Sequence, residues 1–313
     1  MKSLKLMSIK RVLFLLIGSA FFLVSCSKKE TKTTLDFLDL NGKIKSLLIS
    51  EFQVEEKFGE VQKGDIFNKK KYLFDKNGQV LELTEYLSDE KIWRKIICKY
   101  DKGGNINEQN IYNEDGELET KVKAIYDGKG NVIEQNIYNL EGKLDTKRTF
   151  IYDGKNNLIE ESHFKADGKL EIRFSFKYDG KNNLIEENHF NSDGTLDYRL
   201  INNYDEKNNR LGEDHIKPDG NLKYKQTYKY DGKNNLIEGD YISMVEKYES
   251  KKFYKYDERG KLIEESDFTT PDNTNDYTYT YRYEKYDKKG NWLVKYKTPG
   301  PLDGITERVI EYY

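Results

Sequence analysis

An aromatic residue followed by aspartate recurs through most of this chain at one interval. The pairs are Phe74-Asp75, Tyr100-Asp101, Tyr126-Asp127, Tyr152-Asp153, Tyr178-Asp179, Tyr204-Asp205, Tyr230-Asp231 and Tyr256-Asp257, each 26 residues after the last. A ninth copy, Tyr286-Asp287, follows after 30 residues, which places a four-residue insertion within Thr269 to Asn275. A strict period of this length means one supersecondary unit laid side by side with its own copies.

Four residues after each aromatic stands Gly78, Gly104, Gly130, Asn156, Asn182, Asn208, Asn234, Gly260 or Gly290. Glycine and asparagine enter the left-handed backbone region most cheaply; other residues lose roughly 1–2 kcal/mol there. Asp101, Asp127, Asp153, Asp179, Asp205, Asp231 and Asp257 then sit at the first position of a type I turn, where the carboxylate caps turn amides. Each Asp with its Gly or Asn describes a type I turn closed by a bulge, which is a hairpin connection. A second turn in each unit is marked by Gly116, Gly142, Gly168, Gly194 and Gly220. Glu90 and Glu246 interrupt that second series, so those two turns are expected to be reshaped.

Between turns the pattern alternates as a half-buried strand should. Leu170, Ile172, Phe174, Phe176 and Tyr178 share one face, and Glu171, Arg173, Ser175 and Lys177 the other. The intervening strands, such as Leu158 to Phe164, look mixed on both faces. The predicted fold is all-β: a long antiparallel meander of tandem 26-residue hairpins, with roughly 18–20 strands. At about 4.8 Å per strand it would extend roughly 90 Å. At about 20–25° of twist per strand it must coil, as an elongated twisted ribbon or a spiral around its aromatic face. Leu40-Asn41-Gly42-Lys43 carries a hairpin signal before a strand-like Ile44 to Phe52, and Glu55 to Asp65 reads as a charged loop. Trp292 to Thr298 and Ile305 to Tyr313 flank a Pro-Gly-Pro turn. These ends read as caps over the terminal edges of the array.

Composition narrows the class. With 53 Lys+Arg against 55 Asp+Glu there is no basic excess of the kind nucleic-acid binders carry. Only 36% of residues are hydrophobic, but 25 Tyr and 15 Phe are too many aromatics for a disordered chain.

Lys2, Lys5, Lys10 and Arg11 precede a 13-residue apolar run, Val12 to Val24. That is too short to span a bilayer, which takes about 20 residues, and reads as a secretory signal. Its end, Leu23-Val24-Ser25-Cys26, resembles a bacterial lipobox, which implies cleavage before Cys26 and diacylation of that cysteine. The chain then divides into a signal peptide (1–25), lipidated Cys26 and tether (26–34), cap strands (35–73), hairpin repeats (74–285), and the last repeat with a C-terminal cap (286–313). Cys98 has no partner in the mature chain and reads as a buried small hydrophobe.

The motif Tyr-Asp-x-x-Gly/Asn-x-Leu, as in Tyr152-Asp153-Gly154-Lys155-Asn156-Asn157-Leu158, resembles the YD (RHS-type) repeat from about Phe74 to Trp292. The resemblance implies successive β-hairpins and, with Cys26, a small YD-repeat lipoprotein. In large members of that family the repeats form a spiral shell around a toxin. This chain has no toxin domain, no autoproteolytic segment and, on repeat number, too few units for a closed cocoon.

The chemistry-bearing columns are few. His163, His189 and His215 are also 26 apart. Equivalent positions lie two strands, about 10 Å, apart, whereas zinc ligand nitrogens lie within about 3–4 Å of each other, so no metal is assigned there. Glu82, Glu108, Glu134, Glu160, Glu186, Glu238 and Glu264 form a solvated column whose members are expected to pair with lysines across strands. No catalytic motif and no cofactor is indicated. The expectation is a non-enzymatic lipoprotein of the cell envelope, on the outer membrane at its periplasmic or surface face. It is held to the membrane by its anchor, has no nucleic-acid partner, and offers an extended face to a protein or glycan. A carbohydrate-binding module using exposed Tyr, Trp93 and Trp292 is the alternative, and an envelope hydrolase a third.

Overall fold

The computed structural model describes residues 33–57, 60–269, 274–298 and 304–313. Nearly all of them are strand. A four-residue helix, α1 (Thr34–Phe37), precedes β1 (Ile44–Lys57), β2 (Glu60–Phe74), β3 (Val80–Tyr86), β4 (Ile92–Tyr100) and β5 (Ile106–Tyr112). The meander continues through β6 (Leu118–Tyr126), β7 (Val132–Tyr138), β8 (Leu144–Tyr152), β9 (Leu158–Lys165) and β10 (Leu170–Tyr178). Next come β11 (Leu184–Asn191), β12 (Leu196–Tyr204), β13 (Arg210–Ile216), β14 (Leu222–Tyr230) and β15 (Leu236–Ser243). It ends with β16 (Tyr248–Tyr256), β17 (Leu262–Thr269), β18 (Thr274–Tyr286), β19 (Trp292–Thr298) and β20 (Gly304–Tyr312).

Each strand pairs antiparallel with the next, and β20 pairs with β1 from Gly304 opposite Gln53 to Tyr312 opposite Ile44. The sheet is therefore a closed 20-stranded barrel, which corrects the expectation of an open, elongated coiled sheet and of too few repeats to close. The ends are not caps over free edges. They are each other's partners, and closure removes the two rows of unpaired backbone groups that an open sheet would expose. Two further readings change. Of the expected loop Glu55 to Asp65, residues 55–57 and 60–65 are strand in β1 and β2, paired out to Lys57 opposite Glu60, and 58–59 lie outside the described residues. Asn41-Gly42, with Gly42 at φ +105°, bends the chain from the α1 segment into β1 and is not a hairpin turn. The expected insertion falls on the β17–β18 hairpin, of which 270–273 lie outside the described residues.

The turn chemistry follows from the sequence. Asn156, Asn182, Asn208 and Asn234 have φ of 64–67°, and Gly104, Gly130 and Gly260 have φ of 77–87°. In the turn after β8, the Asp153 carboxylate accepts from the Lys155 and Asn157 amides, each at 2.8 Å. Asp101, Asp127, Asp179, Asp205, Asp231 and Asp257 take the same part in their own turns. The Asn157 side-chain amide also donates across to Asn182 in the next unit's turn at 3.2 Å, as Asn183 does to Asn208 and Asn209 to Asn234. A spine of side-chain amides thus links neighbouring turns along one rim.

A register shift follows every such turn. In β9, Leu158 is opposite Tyr152 while Glu160 is opposite Ile151, so Ile159 is the extra residue of a bulge. This reset of alternation is why the odd-numbered strands look mixed in sequence. Glu90 does not reshape its turn as expected: it takes the same left-handed position, at φ 66°, with the same pair of turn hydrogen bonds. The turn at Glu246 is reshaped, with the left-handed residue moved to Lys247.

Candidate functional site

The face that points into the barrel is fixed by the segment ahead of β1. Leu35 lies against the β2–β3 turn, where a Cβ on Gly78 would meet its Cδ1 at 2.9 Å. Four residues on, Asp39 accepts from Lys261 Nζ in the β16–β17 turn and from Trp292 Nε1 at 3.2 Å. Six strands separate those two turns around the ring, roughly 29 Å of arc at about 4.8 Å each. A short, partly helical segment rising about 1.5 Å per residue cannot follow that arc and must cut across it. It crosses the mouth as a plug on the lumenal side. Arg308 Nη2 donates to Leu38 O at 2.8 Å, and the Asn291 side chain bonds both the N–H and the C=O of Asn41, at 2.6 and 3.0 Å. Leu40, Ile44, Leu47, Phe74 and Val80 form the core beneath the plug.

Ile310, Leu47, Tyr72, Leu83 and Ile96 follow one another across register partners, and Arg308, two residues before Ile310, shares their face of β20, so the aromatic and aliphatic face lines the lumen. The opposite face, outside, carries cross-strand ion pairs. Lys99–Glu108 is 2.7 Å, Lys147–Glu134 2.6 Å, Lys177–Glu186 2.8 Å, Lys229–Glu238 2.8 Å and Lys255–Glu264 2.7 Å. Glu82 and Glu160 are paired as well, with Lys95 and Arg173. The outer wall thus carries cross-strand ion pairs beside exposed apolar side chains such as Ile125 and Ile151. A ring of 20 strands is also wider than its inward side chains can fill, leaving a lumen.

On the lumenal wall, eight consecutive strands from β9 to β16 each give one ring to a continuous ladder: His163, Phe174, His189, Tyr198, His215, Tyr224, Tyr241 and Tyr248. Successive centroids are 5.4, 4.6, 3.8, 4.4, 4.4, 5.4 and 6.2 Å apart. A Phe or Tyr ring stands between successive histidines. His189, Tyr198 and His215 stack face to face, while the remaining neighbours meet edge-on or tilted. His163 and His189 each bond a glutamate two residues back, Glu161 and Glu187, at 2.5 Å. His215 is buried with no partner for Nδ1, and burial, then Lys223 and His189, hold its pKa below the usual histidine value. No hydroxyl or thiol nucleophile bonds any of the three histidines among the described residues.

Several lumenal cations are neutralised by ion pairs. Burial pushes Glu85 upward, but Lys70 at 2.9 Å and Arg94 at 2.5 Å more than offset it and hold the carboxyl below its usual range. Arg210 meets Glu213 at 2.7 Å and Lys252 meets Asp267 at 3.2 Å. At β19 and β20 the arrangement differs. Arg308 lies 3.4 Å over the Trp292 ring, Lys295 Nζ 5.5 Å from the same ring, and Lys297 Nζ 3.7 Å over Tyr279.

Of the residues singled out in the sequence, Cys26 lies outside the described residues. The turn Asp, Gly and Asn residues lie along the plugged rim and none lines the lumen wall. Cys98 is buried, accepts weakly from the Gln109 amide at 3.6 Å, and has its thiol pKa raised by burial. Trp93 is exposed at the bulge after the β3–β4 turn, with Arg94 4.8 Å over its ring, whereas Trp292 is 6% exposed and covered by Arg308 and the Tyr283 ring. The histidine column is visible in sequence, but the β19–β20 cations were missed because Lys295-Tyr296-Lys297 reads as a solvent-facing alternation.

A family model described only as an uncharacterised protein matches residues 119–177. None of the curated proteins matches the sequence. Among solved structures, the chain is similar to that of TcdB2-TccC3, with 12% identity and a TM-score of 0.35 over 83% of this chain and 18% of that one. The chain thus spans under a fifth of that relative's length. It is also similar to a porin-like protein from Bacteroides uniformis ATCC 8492, with 11% identity and a TM-score of 0.37, covering 86% of this chain and 96% of that one. A porin-like protein from Bacteroides vulgatus ATCC 8482 shows 12% identity and a TM-score of 0.30, covering 87% and 99%.

Proposed function

We propose that this is a lipid-anchored protein of the bacterial envelope, a YD-repeat lipoprotein whose barrel holds a ligand in its lumen without chemical conversion. The observation that carries this reading is the β1–β20 pairing, which turns the aromatic and partly unneutralised face inward and the face with the cross-strand Lys–Glu pairs outward. A partner bound on an extended outer face fits less well, because many of the outer charges are already taken up in cross-strand pairs. Sugar stacking on aromatic platforms also fits poorly: Trp292 is buried beneath Arg308, and Tyr198 is stacked between His189 and His215. The anchor rests on Cys26. Only six residues separate it from Thr33, where the described structure begins beside the plugged rim. Two or more acyl chains hold a protein stably where one is marginal.

Two measurements test the proposal. Cells fed radiolabelled palmitate should label the wild-type chain and not Cys26→Ala; an unlabelled wild type would defeat the anchor. The mature chain from Ser27 onward, which contains every described residue, should raise the fluorescence of an environment-sensitive dye such as 1-N-phenylnaphthylamine saturably. Purified protein that neither binds such a probe nor carries a co-purified small molecule in native mass spectra would not be a container.

A further inference from the structure

Resting on that lumenal reading, we propose that the ligand is an amphiphile with an anionic headgroup, a carboxylate or phosphate, seated against Lys295, Lys297 and Arg308. These three cations share one stretch of lumen wall. Lys295 and Thr306 are register partners across β19 and β20, and Arg308 is the next inward residue on β20. Arg308 is only 9% exposed, yet its Nε and Nη1 are buried with no hydrogen-bond partner. A guanidinium left so costs desolvation energy unless something accepts from it. Burial holds Lys295 below the usual lysine range, with Arg308 and Lys297 adding repulsion, and Glu51 is the carboxylate that opposes this. Glu51 itself accepts from the Asn68 amide at 2.6 Å. Asp39, facing Arg308 from the plug, is taken up by Lys261 and Trp292.

Among the described residues no carboxylate forms an ion pair with any of the three, whereas Arg94, Arg210 and Lys252 on the same wall each have one; Arg148, also inward and without an ion pair, stands alone rather than in a cluster. The three are held instead on aromatic faces, Trp292, Tyr281 and Tyr279, which fix a cation in place without cancelling its charge. Such a group can make charge-assisted hydrogen bonds to an incoming oxyanion. The aromatic and aliphatic lining further round the wall suits an apolar tail.

The chain has two tryptophans. A Trp93→Phe background leaves Trp292, the ring under Arg308, as the only reporter. The mature chain in that background is titrated with octanoate, octyl phosphate and octyl glucoside, each below its micellar concentration. Octanoate or octyl phosphate should move Trp292 emission at a concentration at least about tenfold lower than octyl glucoside, as expected for charge-assisted hydrogen bonds. A Lys295→Gln/Lys297→Gln variant with unchanged melting should lose that preference while still binding octyl glucoside. The lysine pair carries the test because Arg308 also holds the plug. Equal binding of all three amphiphiles, unchanged in the double variant, would overturn anion recognition and leave the container standing. Binding of none would overturn both.

Discussion

At the residue scale, backbone handedness sets the cost of each turn position. Gly130 sits at φ +87° with nothing nearer than 3.7 Å to an added Cβ, so a substitution there is penalised by the backbone alone. Gly130→Asn should be nearly neutral, since Asn156 occupies the equivalent place at φ 67°. Gly130→Val should cost about 2 kcal/mol or more, because a β-branched residue is forced into the left-handed region. Urea midpoints of the two variants check this, and equal midpoints would contradict the turn assignment. Glu90 is the converse case, a glutamate held at φ 66°. Its ion pair to Lys69 is exposed and worth little. Glu90→Gly should therefore stabilise the barrel by about 1 kcal/mol. The repeated tyrosine has its own reason. Tyr100, Tyr126, Tyr204, Tyr230 and Tyr256 each donate a hydroxyl, at 2.7–2.9 Å, to the carbonyl of the residue that opens the preceding unit's bulged strand. Tyr204→Phe should cost about 1 kcal/mol by stranding the Leu184 carbonyl, readable as a shift in midpoint at constant slope.

At the scale of the hairpin, the turn aspartates make the rim acid-sensitive. Hydrogen bonds from turn amides and from the Asn four residues on hold Asp101, Asp127, Asp153, Asp179, Asp205 and Asp231 below the ordinary aspartate value of 3.8. A lowered folded-state pKa contributes stability that is fully present above 3.8 and lost as pH falls below it through the folded values. Asparagine accepts the same two amides in the other series of turns, as Asn113 does from Asp115 and Glu117 at 3.1 and 2.9 Å. Asp153→Asn should therefore keep neutral-pH stability nearly intact and flatten the loss below pH 4. Urea unfolding at pH 7 and pH 3 measures both; a variant as acid-sensitive as wild type would refute the capping account. These hairpins were legible in sequence because their information is local. Leu170 to Tyr178 alternates without a break, and Asp153 with Asn156 defines a turn by itself. The odd strands were less legible because the bulge at Ile159 resets the period. The lumenal site was less legible still. His163, His189 and His215 are visible as a column, but whether a column faces water or a lumen depends on where the sheet closes. The Lys295, Lys297 and Arg308 cluster joins β19 and β20, whose pairing a local pattern does not give.

At the scale of the molecule, closure is the property that local patterning does not carry. β1 and β20 read as ordinary alternating strands, and their pairing joins residues more than 250 apart in sequence. Closure determines which chemistry faces inward, so the functional reading depends on it more than on any single residue. It also makes a geometric demand that an open sheet cannot meet. In the barrel the Tyr313 N–H donates to Lys43 O at 3.1 Å, so the C-terminus lies against the start of β1. In an open ribbon of the same strands those points would be roughly 90 Å apart, at about 4.8 Å per strand. A circular permutant in which a linker of six Gly/Ser residues joins Tyr313 to Thr33, with new termini in the exposed turn at Glu141-Gly142, separates the two cases. Such a linker reaches about 20 Å when extended, enough for the barrel and far too short for the ribbon. The permutant should fold as a monomer with the small-angle scattering profile of the parent and a melting temperature lowered by no more than a few degrees, since only one hairpin connection is cut. An unfolded or aggregated permutant, beside a parent whose scattering gives a maximum dimension near 90 Å, would show that β1 and β20 do not meet, and the lumen would go with them.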